Sequence, residues 1–145
     1  ANDSALGGEM TLAIFKLNGQ MLGAGEAIAR PVGITVARWQ VLGAVLGEPL
    51  TVSGISRQMG ITRQAVQRIV NRLLEEGLLA SSPNPAHKRS PFLTPTAEGR
   101  AAIERIAPEQ TAFSSRIINA FGRDEIEHLI AELHRLSTVV EETRP

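Results

Sequence analysis

The 145-residue sequence has no cysteine, which excludes disulfides, thiolate metal sites and thiol-based redox sensing. It has no net charge, with 15 basic residues against 15 acidic ones, so nothing draws the whole chain to a polyanion. No apolar run approaches the roughly 18 residues of a membrane span, and no basic-then-apolar signal peptide opens the chain. A cytoplasmic protein without a membrane partner is therefore expected. Ala1 in place of methionine implies a start that is processed or artificial. Aromatics are scarce, and Trp39 is the sole tryptophan. What is present suits one domain, or one domain with helical extensions, in a chain whose composition is not that of a disordered protein.

The balanced charge conceals a segregation. Residues 1–56 carry a net −1, residues 57–100 a net +4 and residues 101–145 a net −3. A basic middle between acidic flanks is a local polyanion footprint, although a solvated arginine-rich helix face would look the same. The basic segment centres on Gly60–Leu79. Gly60 suits a tight turn, Thr62 an N-cap and Gly77 a helix stop. Val66, Ile69, Val70, Leu73 and Leu74 recur at helical spacing, and Arg63, Gln64, Gln67, Arg68, Asn71 and Arg72 fall between them. One face is made for a core. The other carries long donors and cations of the kind that meet base edges and phosphates.

Around this helix the spacing predicts the following order. A first helix starts between Gly8 and Thr11 and ends before Pro31. It is apolar nearly all the way round (Leu12, Ile14, Phe15, Leu17, Met21, Leu22, Ile28), which a partner chain would explain most simply. A second helix covers about Val36–Leu46 behind Thr35, with Trp39 read as core packing in preference to a ligand contact. Thr51 caps a short helix, Val52–Met59, and the turn at Gly60 and Ile61 makes this pair a helix-turn-helix. Leu78–Ser82 and Ser90–Thr94 read as a two-stranded edge ribbon whose turn carries His87, Lys88 and Arg89. The two cations are either solubilising loop charge or a minor-groove probe, and their place after a helix-turn-helix favours the second. Thr96 opens a long helix to about Phe121, which Pro108 should kink or restart. After Gly122 a last amphipathic helix carries Ile126, Leu129, Ile130, Leu133, Leu136 and Val140. Its apolar face fits either a dimer or an intramolecular bundle.

With these elements in this order, the chain resembles the MarR family of bacterial winged-helix transcriptional regulators over nearly its whole length. The second helix, the Arg72–Leu79 close of the basic helix, the wing Asn84–Pro91 and Thr96–Gly99 each look like family segments. Two positions depart from the family pattern. His87 stands where an aspartate usually orients the wing arginine, and Pro95 stands where leucine is usual, which should shorten the second wing strand. The resemblance implies a mainly α (α+β) fold: a winged helix-turn-helix with N- and C-terminal dimerisation helices. It also implies a homodimer on a pseudopalindromic operator in double-stranded DNA, most often a repressor released by a small aromatic or phenolic effector. The chain then divides into an N-terminal dimerisation helix (1–34), a DNA-binding lobe (35–96) and C-terminal dimerisation helices (97–145).

Candidate DNA contacts are Thr62, Arg63, Gln64, Gln67, Arg68, Asn71 and Arg72 on the recognition helix, with Arg57, His87, Lys88 and Arg89 beside it. Gln64, Gln67 and Arg68 are assigned to base edges, Lys88 and Arg89 to the minor groove, and Thr62, Arg63, Asn71, Arg72, Arg57 and a protonated His87 to phosphates. Arg38 and Trp39 are candidates for an effector-pocket wall. No cofactor or metal is expected, and no catalytic residue is assigned. His128 and His134, six apart on the last helix, have the wrong spacing to share a metal. The alternative function is a winged-helix adaptor that binds protein and does not read DNA.

Overall fold

In a computed structural model describing residues 2–145, the elements run α1 (Asp3–Ala29), a 3-10 turn (Arg30–Val32), α2 (Val36–Leu46), α3 (Val52–Met59), α4 (Arg63–Glu75), β1 (Leu79–Ser82), β2 (Phe92–Pro95), α5 (Ala97–Phe121) and α6 (Arg123–Thr143). The chain divides into two compact units, Ala1–Ala107 and Pro108–Pro145.

The core of the first unit is built from the stripes that the periodicity marks. Val41, Leu42 and Val45 of α2, Ile55 of α3 and Val66, Val70 and Leu73 of α4 are buried against Leu79, Leu93 and Ile106. Each such side chain contributes about 1.5–3 kcal/mol by leaving water. The helices start where their caps stand: Thr35, Thr51 and Thr62 accept hydrogen bonds from the amides of Arg38, Gly54 and Ala65 at 3.1–3.2 Å. Gly25 lets α1 approach α2, since a Cβ there would lie 2.5 Å from Val36 Cγ2. The Glu26 carboxylate accepts the Val36 amide beside that contact. Trp39 is half-buried and packs against the same core.

Two expectations are corrected. First, α1 begins at Asp3, because Asn2 accepts the Ala5 amide as its N-cap and the Gly7-Gly8 pair does not break the turn. Second, α5 is a single helix across Pro108, so the proline does not restart it. Both Pro108 and Glu104 are exposed, so water can satisfy the Glu104 carbonyl that loses its amide partner. The expected two-stranded ribbon is present, and Leu50 bridges Leu93 on the other side of β2 through both backbone bonds (2.8 and 3.3 Å).

Pro95 is the last residue of β2, opposite Leu79. The ladder continues past it, since the Thr96 amide donates to the Leu78 carbonyl at 3.1 Å. Pro95 thus occupies a position where the alternating antiparallel pattern asks for no amide.

Outside this core the apolar surface is unpartnered. Along α1 only Gly25 and Ala29 are buried, whereas Leu12 and Phe15 are 70% and 67% exposed. In the second unit α6 buries no residue and leaves Leu129, Ile130, Leu133, Val139 and Val140 exposed. Helix faces of this kind at both ends of the chain fit dimerisation. On the polar side of α6, Arg135 donates to Glu132 at 2.6 Å, and that hydrogen bond and charge hold the Glu132 carboxyl below its ordinary range.

Candidate nucleic-acid interface

The turn between α3 and α4 sets the geometry. Gly60 takes the left-handed conformation (φ 70°) and donates to the Ser56 carbonyl at 2.9 Å. Ser56 Oγ donates to the Ile61 carbonyl at 2.5 Å, which pins the other side of the turn. Thr62 then starts α4. Burial of Val66, Val70 and Leu73 fixes the rotation of that helix, so Arg63, Gln64, Gln67, Arg68, Asn71 and Arg72 are all exposed. Arg57, in the last turn of α3, is exposed as well.

A cleft of about 410 Å³ joins this helix to the wing. Arg63, Gln64 and Gln67 line one side, Ser81, Arg89, Ser90 and Pro91 another, and Val52 and Ser53 of α3 close it. Of the predicted recognition-helix residues, Arg63, Gln64 and Gln67 therefore share one surface with the wing arginine, with no carboxylate in its lining, whereas Thr62, Arg68, Asn71 and Arg72 are exposed outside it. His87 and Lys88 are exposed at the wing tip next to Arg89.

Other predicted residues are engaged within the protein. Gln67 donates to Asn71 across one turn of α4 at 2.8 Å, which aligns both amides along the exposed face. Arg72 Nε donates to Glu76 at 3.1 Å, and Arg38 pairs with the same carboxylate oxygen. Arg38 Nε also donates to Thr35 Oγ1 at 3.3 Å. Glu76 thus ties the end of α4 to α2, a role missed in the sequence because its partner stands 38 residues earlier. Ser53 and Ser90 in the cleft were missed too, since small polar residues carry no periodic signal. Among the described residues no group of three His, Asp or Glu side chains is placed to hold a metal ion. No helix among the described residues is long and apolar enough to cross a membrane.

Comparison with known proteins agrees with this architecture. Residues 32–90 match the sequence model of the MarR family. The chain is 34% identical over 132 residues to the Mycobacterium tuberculosis protein Rv2011c, covering 91% of this chain and 92% of that one. It is 26% identical to the transcriptional activatory protein BadR of Rhodopseudomonas palustris, over 94% of this chain and 84% of that one. Its fold is similar to that of a mutant MarR from E. coli complexed with operator DNA, with a TM-score of 0.78 and 20% identity over 94% of this chain and 99% of that one. With residues 32–90 matching the family model, a helix-turn-helix followed by a wing, exposed apolar helices at both ends and a relative 34% identical over 91% of the chain, the chain belongs to the MarR family of winged helix-turn-helix transcriptional regulators.

Proposed function

We propose that the protein is a sequence-specific regulator of double-stranded DNA, acting in the cytoplasm as a homodimer on a pseudopalindromic operator. The observation that carries this reading is the shared surface of α4 and the wing, where Arg63, Gln64, Gln67 and Arg89 line one acid-free cleft. In a dimer two such surfaces present their α4 helices to successive major grooves, with half-site centres about 34–36 Å apart. The dimer would be built from α1, α5 and α6 (within residues 1–34 and 97–145), whose exposed apolar side chains need a partner. Residues 35–96 form the DNA-reading lobe.

Gln64, Gln67 and Arg68 read base edges: a glutamine amide can pair bidentately with adenine and a guanidinium with guanine, each worth about 1–3 kcal/mol of discrimination. Thr62, Arg63, Asn71, Arg72 and Arg57 hold phosphates, and the wing sets His87, Lys88 and Arg89 against the phosphates that wall the minor groove. The regulator acts as a repressor, released by a small aromatic or phenolic effector as is usual in the family. We place its pocket wall at Arg38 and Trp39, beside the crossing of α1 and α2 at Gly25. Because Trp39 is the sole tryptophan, its fluorescence reports directly on a ligand there.

The test measures Gln64→Ala and Arg68→Ala on cognate and scrambled operators. The expected result is a loss concentrated on the cognate site. Equal losses on both DNAs overturn base reading. Feeble duplex affinity unaffected by removing Arg63, Arg68 and Arg72 would instead identify a protein-binding adaptor. A reporter placed behind the operator separates repression from activation.

A further inference from the structure

Asn84 is the buried polar residue of the chain among those described, at 8% exposure, although it lies in the loop that carries the wing's charges. Loop residues 83–91 connect the last paired positions of the ribbon, Ser82 and Phe92. Burying an amide is unfavourable unless its donor and acceptor are both matched, and here they are. Asn84 Oδ1 accepts the Ala86 amide at 3.1 Å, and Nδ2 donates to the Ser90 carbonyl at 2.9 Å. Pro85 has no amide, so Ala86 supplies the first donor this oxygen can use, and the result is a local Asx turn. The backbone carbonyl of Asn84 also accepts the His87 amide at 3.1 Å, and the His87 carbonyl accepts the Ser90 amide at 3.1 Å.

The tip is therefore two successive hydrogen-bonded turns, 84–87 and 87–90, and Lys88 and Arg89 are the two central residues of the second. Asn84 takes part in three of the four bonds that define them. The Nδ2 bond to Ser90 is the one that spans both turns and closes the loop. His87 serves through its backbone alone, as the corner the two turns share. The family's aspartate at that place is thus not needed to order this loop.

We infer that Asn84 is the positioning residue of the wing, fixing the turn on which Lys88 and Arg89 are presented to the phosphate backbone. The inference rests on the proposed wing contact with DNA. A loop ordered in advance binds without first losing its conformational freedom, so the benefit appears in DNA affinity. No residue of the hydrophobic core lies between 80 and 92, so removing the brace leaves the rest of the fold its own support.

The experiment compares Asn84→Ala, Arg89→Ala and the double variant of the full chain. Operator affinity is measured from low to high salt, and thermal unfolding is followed in parallel. Removing one phosphate contact flattens the slope of log K against log salt by about 0.9. The expected result is that Asn84→Ala flattens the slope at least as much as Arg89→Ala does, since Lys88 loses its place as well, that the double variant is no worse than Asn84→Ala, and that the melting temperature stays near the parent's. A slope unchanged by Asn84→Ala overturns the inference while Arg89→Ala still flattens it. Additive losses in the double variant, or a collapse of the melting temperature, overturn it likewise. If Arg89→Ala changes nothing, the wing contact itself fails and the inference with it.

Discussion

Replacing Gly99 by alanine puts a methyl group where the first turn of α5 meets the end of α4's loop. The new Cβ would lie 2.2 Å from the Leu78 carbonyl oxygen, 3.2 Å from its carbon and 3.3 Å from Leu42 Cδ2. The crowding atom is backbone, so no side-chain rotation relieves it. The carbonyl is also in use, accepting the Thr96 amide at 3.1 Å, while Thr96 Oγ1 donates to the neighbouring Gly77 carbonyl at 2.6 Å. Seating the methyl forces α5 away from the wing root and breaks one or both bonds. Overpacking costs about 1–3 kcal/mol. Each broken hydrogen bond adds about 0.5–1.5 kcal/mol. Alanine's better helix propensity returns at most about 1 kcal/mol. A net loss of about 3 kcal/mol follows, which lowers the melting temperature by about 6–12 °C in a chain of this size.

Gly43 is the control. It is an exposed position inside α2 with nothing within 4 Å of an added Cβ, so Gly43→Ala should stabilise by about 0.5–1 kcal/mol. Urea unfolding at one fixed protein concentration compares the two, because a dimer's stability depends on concentration. A Gly99→Ala protein within about 0.5 kcal/mol of the parent, or equal losses at both sites, refutes the close-approach argument.

Three further outcomes follow from the same structure. Thr62→Ala removes the N-cap of α4 and should cost about 1 kcal/mol in urea unfolding, with Thr62→Ser restoring most of it. Leu73→Ala leaves a cavity under α4 at a fully buried position and should cost about 2–5 kcal/mol, so a loss below about 1 kcal/mol would place Leu73 outside the core. Glu132→Gln should leave thermal stability unchanged at pH 7 within error, despite the hydrogen bond to Arg135. A lowered carboxyl pKa means that the pair's contribution is present above the ordinary glutamate range and lost as pH falls through the folded value, but both side chains reach solvent, which screens them. A clear drop in melting temperature would show that the pair is shielded in the assembled protein.

By itself the sequence determined the helices and their order. Thr35, Thr51 and Thr62 each combine a cap chemistry with an apolar stripe at helical spacing, and that information is local, so α2, α3 and α4 start where those residues stand. The same stripe rotates α4, which is why the polar face from Arg63 to Arg72 was legible without any tertiary contact. Tertiary structure decided what joins those parts. The bridge from Leu50 to Leu93, the pairing of Arg38 with Glu76 and the approach of Gly99 to Leu78 each unite residues about 20 to 40 positions apart. Such pairs leave no periodic trace, since a single contact fixes neither a helical nor a strand repeat. The wing tip lies between these cases. Pro83-Asn84-Pro85 announces a turn, but only the folded loop shows that the Asn84 amide is enclosed and that its donor reaches Ser90. A polar side chain's role depends on what surrounds it, and its surroundings are made by the fold.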